Sequence, residues 1–351
     1  MPKVSDGVVV TVPIVVLLVA VAAGVFAVAR DQPPGPQQNA AAVPFATPTD
    51  TPTPTPLPAV TPTPTRTPTP HHTRSAPATP VVPTATATTC VDRVKHRELS
   101  VLTFNIHSAR TENGSVHVDT IGDEIARWQP DIVLLQEVDR GRDWSRRIDM
   151  PAVLAARLGM TWAFGANVSR SPTNQYGTAI LSRFPIESSG NVALPAPGGT
   201  QQRGLLHAVV DVRGVPLSIY DTHLENTSDV ARVEQIRAIV PILRADSRAK
   251  LLGGDFNAVP TSTVLATARS VLADTWMSVG SGPSLTAPAG NPRVRIDYLL
   301  YGDGSGVDIA PQAAEILPSQ VSDHRAVRAT YAVTASAGEV CVPVLEEQGT
   351  G

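Results

Sequence analysis

The sequence is poor in cysteine, lysine and net charge. Its two cysteines, Cys90 and Cys341, cannot build a thiolate zinc cluster, and no histidines stand at zinc spacing. The formal charge of −3 gives no global electrostatic pull toward nucleic acid or acidic lipid. One lysine, Lys250, follows Arg97, and 22 basic residues face 24 acidic ones from Arg97 to Val333. The broad basic face that a duplex nuclease usually presents is therefore missing. No internal repeat is visible.

What is present begins with an apolar run, Val8–Ala29, after a short tail at 1–7. It holds 22 residues without a charge, or roughly 33 Å of helix against a bilayer core of about 30 Å. A signal peptide would have a shorter core and a small-residue cleavage site, for which "AVA" at Ala27–Ala29 qualifies. The length favours an uncleaved single-pass anchor; cleavage would give a secreted protein. Orientation is weakly marked, because only Lys3 precedes the span and Arg30 is offset by Asp31. Residues 30–89 follow as a Pro/Thr-rich linker. From Gln32 to Thr89 there are 16 prolines and 16 threonines, too little apolar surface to offset the entropy of ordering. Such a stalk, extended to roughly 180 Å, suits an exported protein. Cys90 and Cys341 bracket everything that follows. They are either two separate thiols or a disulfide that clips the domain's ends together, and an extracytoplasmic compartment permits the bridge.

Residues 90–345 read as one globular unit, with a tail at 346–351. "LSVLTFNI" and "DIVLLQE" are buried strands. "VDTIGDEIARWQP" is a helix ended by Pro130, and "MPAVLAARLG" is a helix closed by Gly159. Further strands are "YGTAILSRF", "GLLHAVVDV", "PLSIYDTHL", "KLLGGDF", "RIDYLLYG", "AAEILP" and "RAVRATYAV", with helices expected near Ser228–Ala245 and Ser262–Leu272. Helices interspersed with hairpin-like strand runs predict an α/β (α+β) fold, two packed sheets flanked by helices.

Acids, amides and histidines recur at the ends of the apolar strands: Asn105, Glu137, His223, Asp255, Asn257, Asp297, Asp323 and His324. Charged groups beside buried strands are costly unless paired or metal-bound. Carboxylates and amides without a thiolate cluster suit a hard cation, Mg²⁺ first, with Mn²⁺ or Ca²⁺ as alternatives. Histidine beside a carboxylate suits acid–base work. Together they point to metal-assisted attack of water on a phosphate ester. In "LLGGDFNAVP" the two glycines are expected to turn the chain and admit a ligand. Asp255 and Asn257, two apart, are expected to project to one side. By the same rule His107 is expected to share a strand face with Asn105. Tyr176 is read as a phosphate contact or a core residue. Arg203 is read as an anion contact or a cross-sheet ion pair.

In this order, "TFNIH", "LLQEVD", "YGTAILSR", "DTHL", "GGDFNAVP", "RIDYLLY" and "SDHRAV" resemble the endonuclease/exonuclease/phosphatase superfamily, the deoxyribonuclease I-like fold, over Leu99–Val333. The resemblance implies a four-layered α/β sandwich of two mixed sheets. It implies that Glu137 is the principal metal ligand, with Asn105 near the metal or phosphate and Asp323 assisting. Asp255 would orient or deprotonate the attacking water, helped by Asn257. His324, oriented by Asp297, would face the scissile phosphate, and His223 would be the second histidine of the site.

Branches of that superfamily cleave nucleic acids, lipid headgroups and small esters. "QEVD" departs from the "QETK" of abasic-site nucleases, and "RVRIDYLL" departs from the Trp-rich stretch of inositol-polyphosphate 5-phosphatases. The secreted and broad bacterial-type members are nearer. "RGRDWSRR" (Arg140–Arg147) is the one dense basic run; it either grips a substrate near Glu137 or is a solvated loop with internal ion pairs. The expectation is a monomeric, metal-dependent phosphodiesterase or phosphatase tethered outside the cell membrane, with a lipid or small-molecule substrate. A cell-surface nuclease and an inactive binding module are the alternatives.

Overall fold

A computed structural model describes residues 87–111, 114–319 and 321–344. The expected anchor and nearly all of the linker lie outside the described residues. Among the described residues, no helix is long and apolar enough to cross a membrane.

The strands run in chain order as β1 (Ala87–Asn105), β2 (Ile132–Arg140), β3 (Thr161–Ser171), β4 (Asn174–Ser182), β5 (Ile186–Ala193) and β6 (Gly204–Asp211). They continue as β7 (Pro216–His223), β8 (Lys250–Asp255), β9 (Ala273–Asp274), β10 (Asp297–Gly302), β11 (Val307–Leu317) and β12 (Ala326–Val344). One sheet has the order β11-β12-β1-β2-β4-β3 and the other β5-β6-β7-β8-β10-β9. Both are mixed, because β1–β2 and β7–β8 are parallel while their neighbours are antiparallel.

The alternation of side chains explains the layering. Val101, Leu134, Ile180, Leu217, Ile219, Leu251 and Leu299 point inward and form one core between the sheets. The opposite face of the first sheet packs Leu102, Phe104, Val133 and Leu135 on helices α1 (Val118–Trp128) and α2 (Met150–Leu158). The opposite face of the second packs Tyr220, Leu252 and Leu300 on α3 (Asp229–Ala245) and α4 (Thr263–Ala268). A short α5 (Thr275–Val279) follows β9. Helix–sheet–sheet–helix is the four-layered sandwich that the resemblance implies.

The helix ends follow their local chemistry. Asp149 caps Ala152 at the start of α2, and Gly159 closes it at φ +65°. Ser228 caps α3 through the Ala231 amide at 3.2 Å. The expected helix to Leu272 stops at Ala268. Beyond it Ser270 and Val271 bond back to Thr267 and Ala268 in tighter turns, which set Leu272 into the core. Cys90 and Cys341 form a disulfide between paired residues of β1 and β12.

Candidate active site

Register brings the polar strand ends together. In the second sheet His223 pairs with Asp255, and Asp255 with Asp297, so β7, β8 and β10 end in one row. In the first sheet β1 ends at Asn105, opposite Gln136. Between Leu135 and Val138 the pairing of β2 with β4 slips, and Glu137 takes φ +57° in that bulge. A positive φ is uncommon for a non-glycine residue, and a bulge re-aims the side chain it carries. Here it turns Glu137 into a cleft of about 180 Å³ that His107, Arg142, Trp144 and Tyr176 also line.

The Asn105 amide joins the two sheets. Its Nδ2 donates to Glu137 Oε1 and to Asp255 Oδ2, each at 3.1 Å, and its Oδ1 accepts the His107 amide at 3.0 Å. Asp255 is buried, and its Oδ1 accepts the Asn257 amide at 2.8 Å. Burial, and then the neighbouring charge of Asp297, raise the Asp255 pKa to about 7. His324 Nδ1 lies 2.9 Å from Asp297 Oδ2. Burial would lower the His324 pKa, but the Asp297 carboxylate, its hydrogen bond and Asp255 raise it to about 10. His324 Nε2 then lies 3.8 Å from Asp255 Oδ2, too far for a hydrogen bond and near enough to share a small ligand.

His223 is set differently. Arg203 Nη1 lies 3.0 Å from its Nδ1. Its Nε2 lies 3.5 Å from Asp255 Oδ2; Arg203 Nη1 and Asn257 Nδ2 can both only donate, and a neutral ring accepts from one of them. The Asn257 Nδ2 lies 3.1 Å from that Nε2 and donates to the Leu224 carbonyl. Burial, Arg203 and His324 hold the His223 pKa well below the ordinary value, so the ring is neutral.

Several expectations change. Asn257 has φ +47°, so it does not share an extended face with Asp255; its backbone amide ties it to the carboxylate. Gly253 and Gly254 lie inside β8 and make no turn. Gly254 has φ +141°, and a Cβ there would sit 1.9 Å from the Thr222 carbonyl oxygen, so glycine lets β7 and β8 close up beneath the site. His107 has left the strand: it starts a left-handed turn at φ +47°, with its side chain 43% exposed and 3.6 Å from Asp323. Arg203 is buried, 3.4 Å from Glu225, and acts as the internal ion pair. Tyr176 is buried yet lines the cleft. Asp323 is 54% exposed, with Oδ1 3.6 Å from His107 Nδ1.

Two contributions escaped sequence reading. Ser322 donates to the Asn105 carbonyl at 2.6 Å and accepts the His324 amide at 3.2 Å; only the spacing "SDH" hints at it. Beneath the site, Gln136 Nε2 donates to Thr103 and to Asp221. Burial raises the Asp221 pKa well above the ordinary value. Its signal was a carboxylate two residues before His223 in an apolar strand.

Glu137 could hold a divalent cation. Asp255, Asp297 and His324 also have ligand atoms within 4.8 Å of one another. There, however, the imidazole is charged and bonded to Asp297, which suits proton chemistry better than ligation. Glu137 offers hard carboxylate oxygens beside an open cleft, and Asn105 Nδ2 holds its Oε1.

The family model of the Endonuclease/Exonuclease/phosphatase family matches residues 102–324, the span from the middle of β1 to His324. The chain belongs to this family. Enzymes of the family hydrolyse phosphate esters and generally use divalent metal ions. The chain is 25% identical over 248 residues to the uncharacterised protein YbhP of Escherichia coli K12, covering 66% of this chain and 96% of that protein. It is 28% identical over 211 residues to the inositol phosphosphingolipids phospholipase C of Schizosaccharomyces pombe, covering 53% of this chain and 47% of that one. Among solved structures, an endonuclease/exonuclease/phosphatase from Beutenbergia cavernae superposes with a TM-score of 0.54 at 27% identity, covering 67% of this chain and 71% of the other.

Proposed function

We propose that this chain is a metal-dependent hydrolase of phosphate esters, of the phosphodiesterase or phosphatase type, working on a lipid headgroup or small-molecule ester outside the cell membrane. The observation that carries the chemistry is the Asp297–His324 pair set against a second carboxylate, Asp255, whose pKa of about 7 matches a general base. Asp255, held by Asn257 and Asn105, takes a proton from water as its oxygen attacks phosphorus; the ester P–O bond breaks, and the departing alkoxide takes a proton from solvent and leaves as the alcohol. His324 stays charged through Asp297 and presents Nε2–H to a phosphoryl oxygen. His223, neutral, stands on the other side of Asp255, its Nε2 3.5 Å from the carboxylate. Glu137 and Asn105, with Asp323 nearby, are the residues that would hold a divalent cation, Mg²⁺ first. The bound ion supplies charge neutralisation on the phosphoryl group. The reading of Val8–Ala29 as an anchor, and the Cys90–Cys341 bridge, favour an extracytoplasmic catalytic domain.

The test is the purified full chain with Mg²⁺ on bis-p-nitrophenyl phosphate, sphingomyelin and plasmid DNA. Hydrolysis that EDTA and His324→Ala both abolish supports the mechanism; activity indifferent to either overturns it. Cleavage confined to plasmid would replace the small-ester reading with a nuclease.

A further inference from the structure

The loop after β2 divides its arginines between two uses. Arg140 and Arg147 are committed to surface ion pairs, with Asp149 at 2.9 Å and Asp143 at 2.8 Å. Arg142 is not. Its side chain is 11% exposed, and among the described residues its nearest carboxylate is Asp139 at 3.6 Å, beyond hydrogen-bond range. The guanidinium is held by rings instead, 3.9 Å from the Trp144 centroid and 5.1 Å from that of Tyr176. Arg110 approaches the same indole at 5.7 Å, and its buried Nε has no partner. Both arginines line the cleft whose wall is Glu137.

Buried donors normally find acceptors, and an unspent guanidinium fork matches a phosphate in shape and charge. Of the Asp139 carboxylate, Oδ2 accepts from Trp144 Nε1 at 2.6 Å, while Oδ1 faces Arg142 without a hydrogen bond. Burial lowers the Arg142 pKa and Asp139 only partly offsets this, so the cation sits desolvated. A group held this way by stacking is preorganised for an anion that arrives with the ligand.

We propose that Arg142, assisted by Arg110, forms a subsite for a second phosphate of the substrate, distinct from the phosphate that is cleaved. This rests on the reading of Glu137 and His324 as the hydrolytic centre. The preferred substrates are then esters with two phosphates on one small scaffold, whether a phosphorylated lipid headgroup or a nucleotide. Trp144, 53% exposed beside the arginines, offers a ring for the scaffold to rest on.

The experiment uses the full chain with Mg²⁺ and two matched pairs. One is thymidine 5′-(p-nitrophenyl phosphate) with and without a 3′-phosphate. The other is glycerophosphoinositol with and without a phosphate on the ring. The doubly phosphorylated member of one pair should show kcat/KM at least tenfold higher, and the pair that does so identifies the source. Arg142→Gln should bring that ratio below about two and Arg142→Lys should keep part of it, whereas His324→Ala should depress both members alike. Arg110→Gln is the second variant should Arg142→Gln not fold. Calorimetry is the readout independent of turnover. Thymidine 3′,5′-bisphosphate or inositol 1,4-bisphosphate should bind at least tenfold tighter than its monophosphate, and Arg142→Gln should close that gap. No cleavage with an Arg142-dependent gap retained would sink the hydrolytic reading and leave the subsite. Cleavage with no preference and no gap, or with both surviving Arg142→Gln, overturns the subsite.

Discussion

The replacement Asp297→Asn isolates the force that charges His324. The imidazole is buried, which opposes its charge, and the carboxylate 2.9 Å away outweighs that penalty to give a pKa of about 10. Against an unfolded value of about 6.5, that gap corresponds to about 4–5 kcal/mol between the charged and neutral forms. The folded pKa lies above the unfolded one. The stabilisation is therefore complete below about pH 6.5 and is lost as pH rises through about 10. Wild type without metal should exceed Asp297→Asn in unfolding free energy by about 4 kcal/mol near pH 6, and the excess should shrink steadily toward pH 10. Heteronuclear NMR of the His324 ring in EDTA gives the direct reading: a midpoint near 10 in wild type, displaced downward by several units in the variant. At pH 8 the variant's ring is then mostly neutral, and kcat on bis-p-nitrophenyl phosphate should fall by about 10²–10⁴-fold. A wild-type midpoint below 7, or a variant midpoint within half a unit of wild type, refutes the reasoning.

Glu137→Gln keeps the side chain's shape while removing its charge, and should weaken Mg²⁺ binding by more than about tenfold in calorimetry; equal affinity would move the cation elsewhere. Arg203→Met removes the cation beside buried Glu225 and the donor facing His223 Nδ1, so urea unfolding should show a loss of about 3–5 kcal/mol. Adding Glu225→Gln should restore stability without restoring activity, and joint recovery would reduce Arg203 to an ion-pair partner. The Cys90–Cys341 bridge spans 251 residues. Paired serines there should cost at most about 5 kcal/mol on the chain-entropy account, and a loss under about 1 kcal/mol would show that strand pairing alone closes the domain.

Much of this was legible in the sequence because strand ends declare themselves. A run of apolar strand residues that ends on Asn105 or Asp255, meets Glu137, or begins after Asp297 leaves a polar side chain beside the cleft. Register then assembled those residues without further help. Three features were not legible. The left-handed turn from His107 to Ala109 and the positive φ of Asn257 override the alternation that a strand pattern predicts, since periodicity assumes an extended backbone. The bulge at Glu137 depends on the mismatch with β4, which no single strand reveals. The role of Arg203 depended on Glu225 and His223 arriving from β7 and the loop after it, so charge pattern alone left two readings even.

The length of β1 has a spatial consequence. It runs from Ala87, through a bulge between Asp92 and Val94, to Asn105 at the cleft. At about 3.3 Å per residue those ends stand roughly 60 Å apart. The first described residues of β1 are therefore remote from the residues that line the cleft.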